Sequence, residues 1–119
     1  SMRYSLVLVL TLGILMGCSE NVAQVVEPEQ VAQMDWPMTC DGAVTRLTTQ
    51  LPESEKENLA AMKRSDLILL HHGFGTGIRN EFGLWGGNLA LIQSCSGKRN
   101  AHPDDVSMII IERLWDSLQ

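Results

Sequence analysis

Residues 66–85 read DLILLHHGFGTGIRNEFGLW, and the spacing of their apolar side chains decides the fold. Leu67, Leu70, Phe74, Ile78 and Phe82 follow one another at intervals of three, four, four and four residues. That is the repeat of one helical face, without the strict alternation of a half-buried strand. The stretch is read as one helix, capped by Ser65 or Asp66 and stopped by Gly83. Gly73, Gly75 and Gly77 each cost a helix about 1 kcal/mol relative to Ala. Gly73 and Gly77 lie four residues apart and share a face, so close approach of another helix is the expected compensation. A homodimer formed through that face is one way to supply it.

The flanking segments carry the same signature. Thr39 or Asp41 can cap a helix whose face is Ala43, Val44, Leu47 and Leu51, and Pro52 ends it. Ser54 and Glu57 have the spacing of a capping box, ahead of Leu59, Ala60 and Met62. A shorter helix is expected from Asn88 to Ser94, after the turn Gly86-Gly87, and residues 96–100 read as a polar loop. His102-Pro103-Asp104-Asp105 opens the last helix, with Pro and Asp in its first turn. Its buried face is Val106, Ile109, Ile110, Leu114 and Leu118, although Met108–Ile111 in isolation would also pass for a strand. The expected fold class is all-α, a small bundle of four or five helices over residues 36–119.

The N-terminal segment has a different character. Residues 1–17 read SMRYSLVLVLTLGILMG, with one charge, Arg3, and an apolar run from Leu6 to Met16. That run is short for a bilayer core of about 30 Å, which takes roughly 20 residues. A positive start, a short apolar stretch and small residues at its end describe a secretory signal, and Ser1 ahead of Met2 reads as a cloning remnant. Leu15-Met16-Gly17-Cys18 resembles the lipobox of bacterial lipoproteins. The resemblance implies that Cys18 becomes the first mature residue and carries the lipid. Ser19, where inner-membrane members have Asp, then implies the outer membrane, with the domain facing the periplasm. Residues 18–35 read as the lipidated Cys and a tether, and a short helix at Glu29–Met34 is the competing reading.

Removing Cys18 for lipid leaves Cys40 and Cys95. In an oxidising compartment such a pair can form a disulfide, which would contribute roughly 3–4 kcal/mol for a loop of that length. Two buried free thiols fit the sequence equally well.

Composition and motifs exclude several function classes. Nine Lys and Arg stand against 14 Asp and Glu, a net charge of −5, and phosphate binding needs clustered cations, so nucleic acid is not an expected partner. Leu67–Gly77 superficially resembles the first turn of an α/β-hydrolase or a dinucleotide-binding loop. The sequence contains no G-x-S-x-G, and its glycines follow G-x-G-x-G without a second strand–helix unit. His71 and His72 are adjacent and would point about 100° apart on a helix, so no metal or cofactor is implied. Asp104 and Asp105 read as helix-start residues before they read as an acid/base pair.

The polar residues set in apolar sequence are the candidate site: His71, Arg79, Asn80, Trp85, Asn88, Asp104, Asp105 and Ser107. A charged Arg79 there needs a partner, and Asp104 or Asp105 is the natural candidate. The cluster is then either a buried ion pair tying the last helix to the third or a ligand pocket built from the same side chains.

Residues Trp36-Pro37, Ala43-x-x-x-Leu47, Leu67–His71, Gly77-Ile78-Arg79-Asn80-x-x-Gly83-Leu84-Trp85, Asn88 and His102-Pro103-Asp104-Asp105-x-Ser107 resemble an uncharacterised family of small bacterial domains. The similarity runs from about Trp36 to Leu118. It implies a helical domain with those boundaries, assigns no catalytic residue, and does not carry the Cys40–Cys95 pairing. The expected function is a lipid-anchored periplasmic binding module with a protein partner, such as an immunity-type inhibitor of a toxin acting in the periplasm. The alternatives are a small envelope hydrolase using His71, Arg79 and Asp105, and a structural envelope lipoprotein.

Overall fold

Thr39 and Pro52 delimit the first helix as their chemistry requires. In the computed structural model, which describes residues 35–119, α1 spans Cys40–Gln50 and the Thr39 side chain accepts the Gly42 N–H at 3.0 Å. Leu51 leaves the helix in an extended conformation, as a residue before proline must. The expectations for the signal, Cys18 and residues 18–34 lie outside the described residues.

α2 spans Glu53–Ala61 and starts two residues earlier than the Ser54 capping box places it. Pro52 is the N-cap and no side chain caps this end, so Ser54 already lies inside the first turn. Proline fixes φ in the helical range and has no N–H to lose, which favours a start directly behind it.

The stretch 66–85 is helical but not continuous. A 3₁₀ helix covers Arg64–Leu70, His71–Gly73 form a turn, and α3 covers Phe74–Glu81. Neither Ser65 nor Asp66 caps the 3₁₀ helix, which begins behind Lys63. The apolar spacing accommodates the break. Leu67 and Leu70 are three apart, the repeat of a 3₁₀ turn, whereas Phe74, Ile78 and Phe82 keep the four-residue step of an α-helix. Gly73, at φ −93° and ψ −83°, takes the change of direction.

α3 ends in a Schellman motif: Gly83 has φ +72°, and the Leu84 N–H donates to the Arg79 carbonyl at 3.0 Å. α4 spans Leu89–Ser96, capped by Asn88, and closes on Gly97 at φ +79°. α5 spans Pro103–Ser117, with the His102 imidazole as N-cap acceptor for the Asp104 N–H at 3.0 Å. Met108–Ile111 are thus helical, and among the described residues there is no strand.

α5 is the axis of the bundle. Val106, Ile110, Ile111 and Leu114 are fully buried, and α1, α3, α4 and the 3₁₀ helix all pack on it. Ile109 and Leu118 are only partly buried, while Ile111 takes a core position the sequence pattern did not assign to it. Ala43, Leu47, Leu59, Leu67, Ile78, Phe82, Leu84, Leu91 and Ile92 complete the core. The all-α reading holds: the described residues form five α-helices and one 3₁₀ helix.

Cys40 and Cys95 form a disulfide joining the start of α1 to the end of α4, with Cα atoms 4.9 Å apart. Beside it the Cys40 N–H donates to Ser94 Oγ at 2.8 Å. The cross-link closes 55 residues of chain. Reduction should lower unfolding stability by about 3 kcal/mol, since a loop of this size is costly to close in the unfolded ensemble. Urea titrations with and without reductant measure it; coincident midpoints would show that the bond constrains nothing.

Candidate functional site

Arg79 lies in the last turn of α3 and Asp104 in the first turn of α5. A cation at a helix C-terminus and an anion at an N-terminus each sit favourably in the helix dipole, so the two ends pair readily. Arg79 Nε stands 3.4 Å from Asp104 Oδ1. Its Nη1 donates to Ser107 Oγ at 2.8 Å, and its Nη2 donates to the His71 carbonyl at 3.0 Å and to Thr76 Oγ1 at 2.9 Å. Ser107 in turn donates to the Asp104 carbonyl at 2.9 Å. Arg79 is only 6% exposed, and protein acceptors face four of its five N–H groups.

Gly75 makes room for this arrangement. A Cβ there would stand 3.0 Å from Arg79 Nη1 and 3.3 Å from the Leu70 carbonyl. The sequence pattern expected Gly73 and Gly77 to provide a close approach. Nothing among the described residues lies within 4 Å of a Cβ at either, and both are exposed. The glycine that the packing requires is the middle one, on the face turned to α5.

The other candidate residues separate into distinct places. Partly buried His71 turns Nε2 toward Asp104 Oδ2 at 3.8 Å, while its Nδ1 is buried without a hydrogen-bond partner. Buried Asn88 is entirely structural in its contacts. Its amide donates to the Pro37 carbonyl at 3.0 Å and the Phe82 carbonyl at 2.8 Å, and Oδ1 accepts the Leu91 N–H at 3.2 Å. Asn80 is exposed on α3. Trp85 is exposed and meets His102 edge-to-face, ring centroids 5.4 Å apart. Asp105 is exposed and lines a shallow depression with Lys98, Asn100 and Ile109, so the partner of Arg79 is Asp104 and not Asp105. His71, Arg79 and Asp105 are therefore not gathered at one cleft.

Two contributors were not foreseen. Thr76 stands three residues before Arg79 on the same helix, a spacing that puts both on one face and was available from the sequence. Trp36 lies against the Gly83–Gly86 turn, a contact between distant segments that no local pattern encodes. Among the described residues no group of three or more His, Cys, Asp and Glu side chains converges as metal ligands.

An apolar hollow lies elsewhere on the domain. A cavity of about 150 Å³ is lined by Leu51, Leu59, Met62, Leu70 and Phe74, with Glu55 and Asn58 at its edge. On the 3₁₀ helix that supplies Leu70, Ile68 is 60% and Leu69 75% exposed.

No curated protein and no solved structure matches this chain. A family model does match, over residues 36–118, which takes in every helix of the described residues and the whole Arg79 cluster. On that match the chain belongs to the family described as a domain of unknown function, DUF6794.

Proposed function

We propose that this protein is a lipid-anchored periplasmic interaction module, held at the outer membrane through Cys18 and binding a protein partner through an apolar surface. The observation behind this reading is that Ile68 and Leu69 are both open to solvent on the 3₁₀ helix whose Leu70 lines the apolar cavity. A leucine left three-quarters exposed on a short 3₁₀ helix contributes little to the fold, whereas an apolar knob on an element that also lines an apolar hollow suits a partner that buries both. The Arg79 cluster supports the same reading from the other side. A guanidinium that served a ligand would present an open edge, and this one spends its donors on Ser107, Thr76, His71 and Asp104. The disulfide fits an oxidising compartment. Inhibition of a toxin that acts in the periplasm is the most concrete form of this function, because it needs a small folded domain and one binding face.

A photo-reactive amino acid at position 69, in the full chain expressed in its own cell envelope, tests the reading. One discrete protein adduct is expected, and Ile68→Glu should reduce its yield about tenfold while leaving the melting temperature unchanged, since the loss of one hot-spot contact is worth about 1.4 kcal/mol or more. No adduct, or an adduct indifferent to Ile68→Glu, would contradict it.

A further inference from the structure

Met38, Ile68, Leu69, Trp85 and Leu89 are the five large apolar side chains exposed among the described residues, and Met38, Trp85 and Leu89 flank one junction of the backbone. That junction is the corner where the chain enters the domain. The Trp36 indole lies against Gly83 and Gly86, and Asn88 donates to the Pro37 carbonyl, so the entering strand of chain is fastened to the turn between α3 and α4. Met38 follows this junction directly, Trp85 lies within the turn, and Leu89 is the first residue of α4. Trp85 is 59% and Met38 57% exposed.

We infer that this corner seats on the surface of the lipid bilayer. The inference rests on acylation of Cys18, which stands 17 residues before Asp35 in the sequence. Fully extended, that length of chain spans at most about 60 Å. Acylation would therefore tie the domain to the bilayer by the very corner that exposes its tryptophan. An indole suits the headgroup region, apolar over its body and polar at its N–H, and methionine and leucine can enter the acyl boundary beside it. Three such side chains bind a membrane weakly by themselves. Covalent attachment makes their insertion an intramolecular event at an effective concentration in the millimolar range, so weak intrinsic binding is enough. The exposed pair Ile68 and Leu69 lies on a different element and remains available to a protein partner.

The test uses the full-length chain purified from bacterial membranes and reconstituted into phosphatidylethanolamine–phosphatidylglycerol vesicles with or without brominated acyl chains. Mass measurement of the mature N-terminus first establishes whether Cys18 is acylated. Brominated lipid should quench tryptophan emission of the native chain about twofold more than that of Trp85→Phe, because Trp36 and Trp115 are partly buried within the domain. Leu89→Glu, which keeps Trp85, should remove most of that difference. Equal quenching of the native chain and Trp85→Phe, with Cys18 acylated, overturns the bilayer contact and leaves the anchor standing. A difference that emerges only when envelope proteins are added assigns the corner to a protein and likewise overturns it. A free Cys18 removes the anchor and this inference with it.

Discussion

Gly83→Ala should lower the stability of the domain by about 4 kcal/mol, a fall in melting temperature of about 20 °C for a domain of this size. Two costs combine at this one position. Gly83 has φ +72°, and a side chain in the left-handed region costs about 1–2 kcal/mol. A Cβ there would also stand 2.6 Å from Cδ2 of Trp36 and closer still to two other indole atoms. The ring must move, and overpacking of this kind costs a further 1–3 kcal/mol or so. Gly87→Ala separates the terms, because Gly87 has φ +94° with nothing within 4 Å of its Cβ position. It should lose only the backbone share. Gly83→Ala in a Trp36→Ala background should likewise lose less than in the native chain. Equal losses for Gly83→Ala and Gly87→Ala would show that Trp36 is not seated on the turn.

Arg79→Ala should cost about 2–4 kcal/mol, because the buried guanidinium takes several hydrogen bonds with it while the Asp104 carboxylate, 40% exposed, is left to water. The loss is large because of what stays behind. Fully buried Ser107 loses the donor on its oxygen, the His71 carbonyl loses its partner, and Asp104 loses its counter-charge. Arg79→Lys should recover little, since one ammonium cannot reach acceptors that the planar guanidinium serves in three directions. Replacing Ser107 by Ala should cost less in Arg79→Ala than in the native chain, with a coupling of about 1 kcal/mol or more in a double-mutant cycle. Additive losses measured by denaturant unfolding would mean that the two side chains do not depend on each other.

The helices were readable because their apolar spacing and end chemistry are local. Thr39, Pro52, Gly83, Asn88 and Pro103 each act within a few residues of their own position, and each stands at a helix boundary in the structure. The division of residues 66–85 was harder to read. Its first interval of three residues belongs to a 3₁₀ turn, and one interval is too short a run to distinguish two helical periods. The choice among the three glycines depended on where α5 lies, since only Gly75 faces it. Arg79 demanded an acidic partner from its sequence context alone, but adjacent Asp104 and Asp105 point in different directions on a helix. Which one turns inward is set by the rotation of α5 about its axis. That rotation follows from the burial of Val106, Ile110, Ile111 and Leu114 rather than from the acids themselves.

The exposed apolar pair could not be read in advance for the same physical reason. Ile68 and Leu69 look like core residues in any apolar count. They are exposed because the 3₁₀ helix turns only Leu67, and in part Leu70, toward the core. An apolar side chain reveals a surface role only once the packing has left it out.

The proposed division of labour is that Arg79 holds the scaffold while Leu69 meets the partner. It is tested most directly by adduct yield from a photo-reactive residue introduced at Ile68, compared per folded molecule in Leu69→Glu and Arg79→Lys backgrounds. Leu69→Glu should lose the adduct with its melting temperature intact, whereas Arg79→Lys should lower the melting temperature and keep the adduct. An adduct retained by Leu69→Glu and lost by folded Arg79→Lys would place the function at the Arg79 cluster and contradict the account.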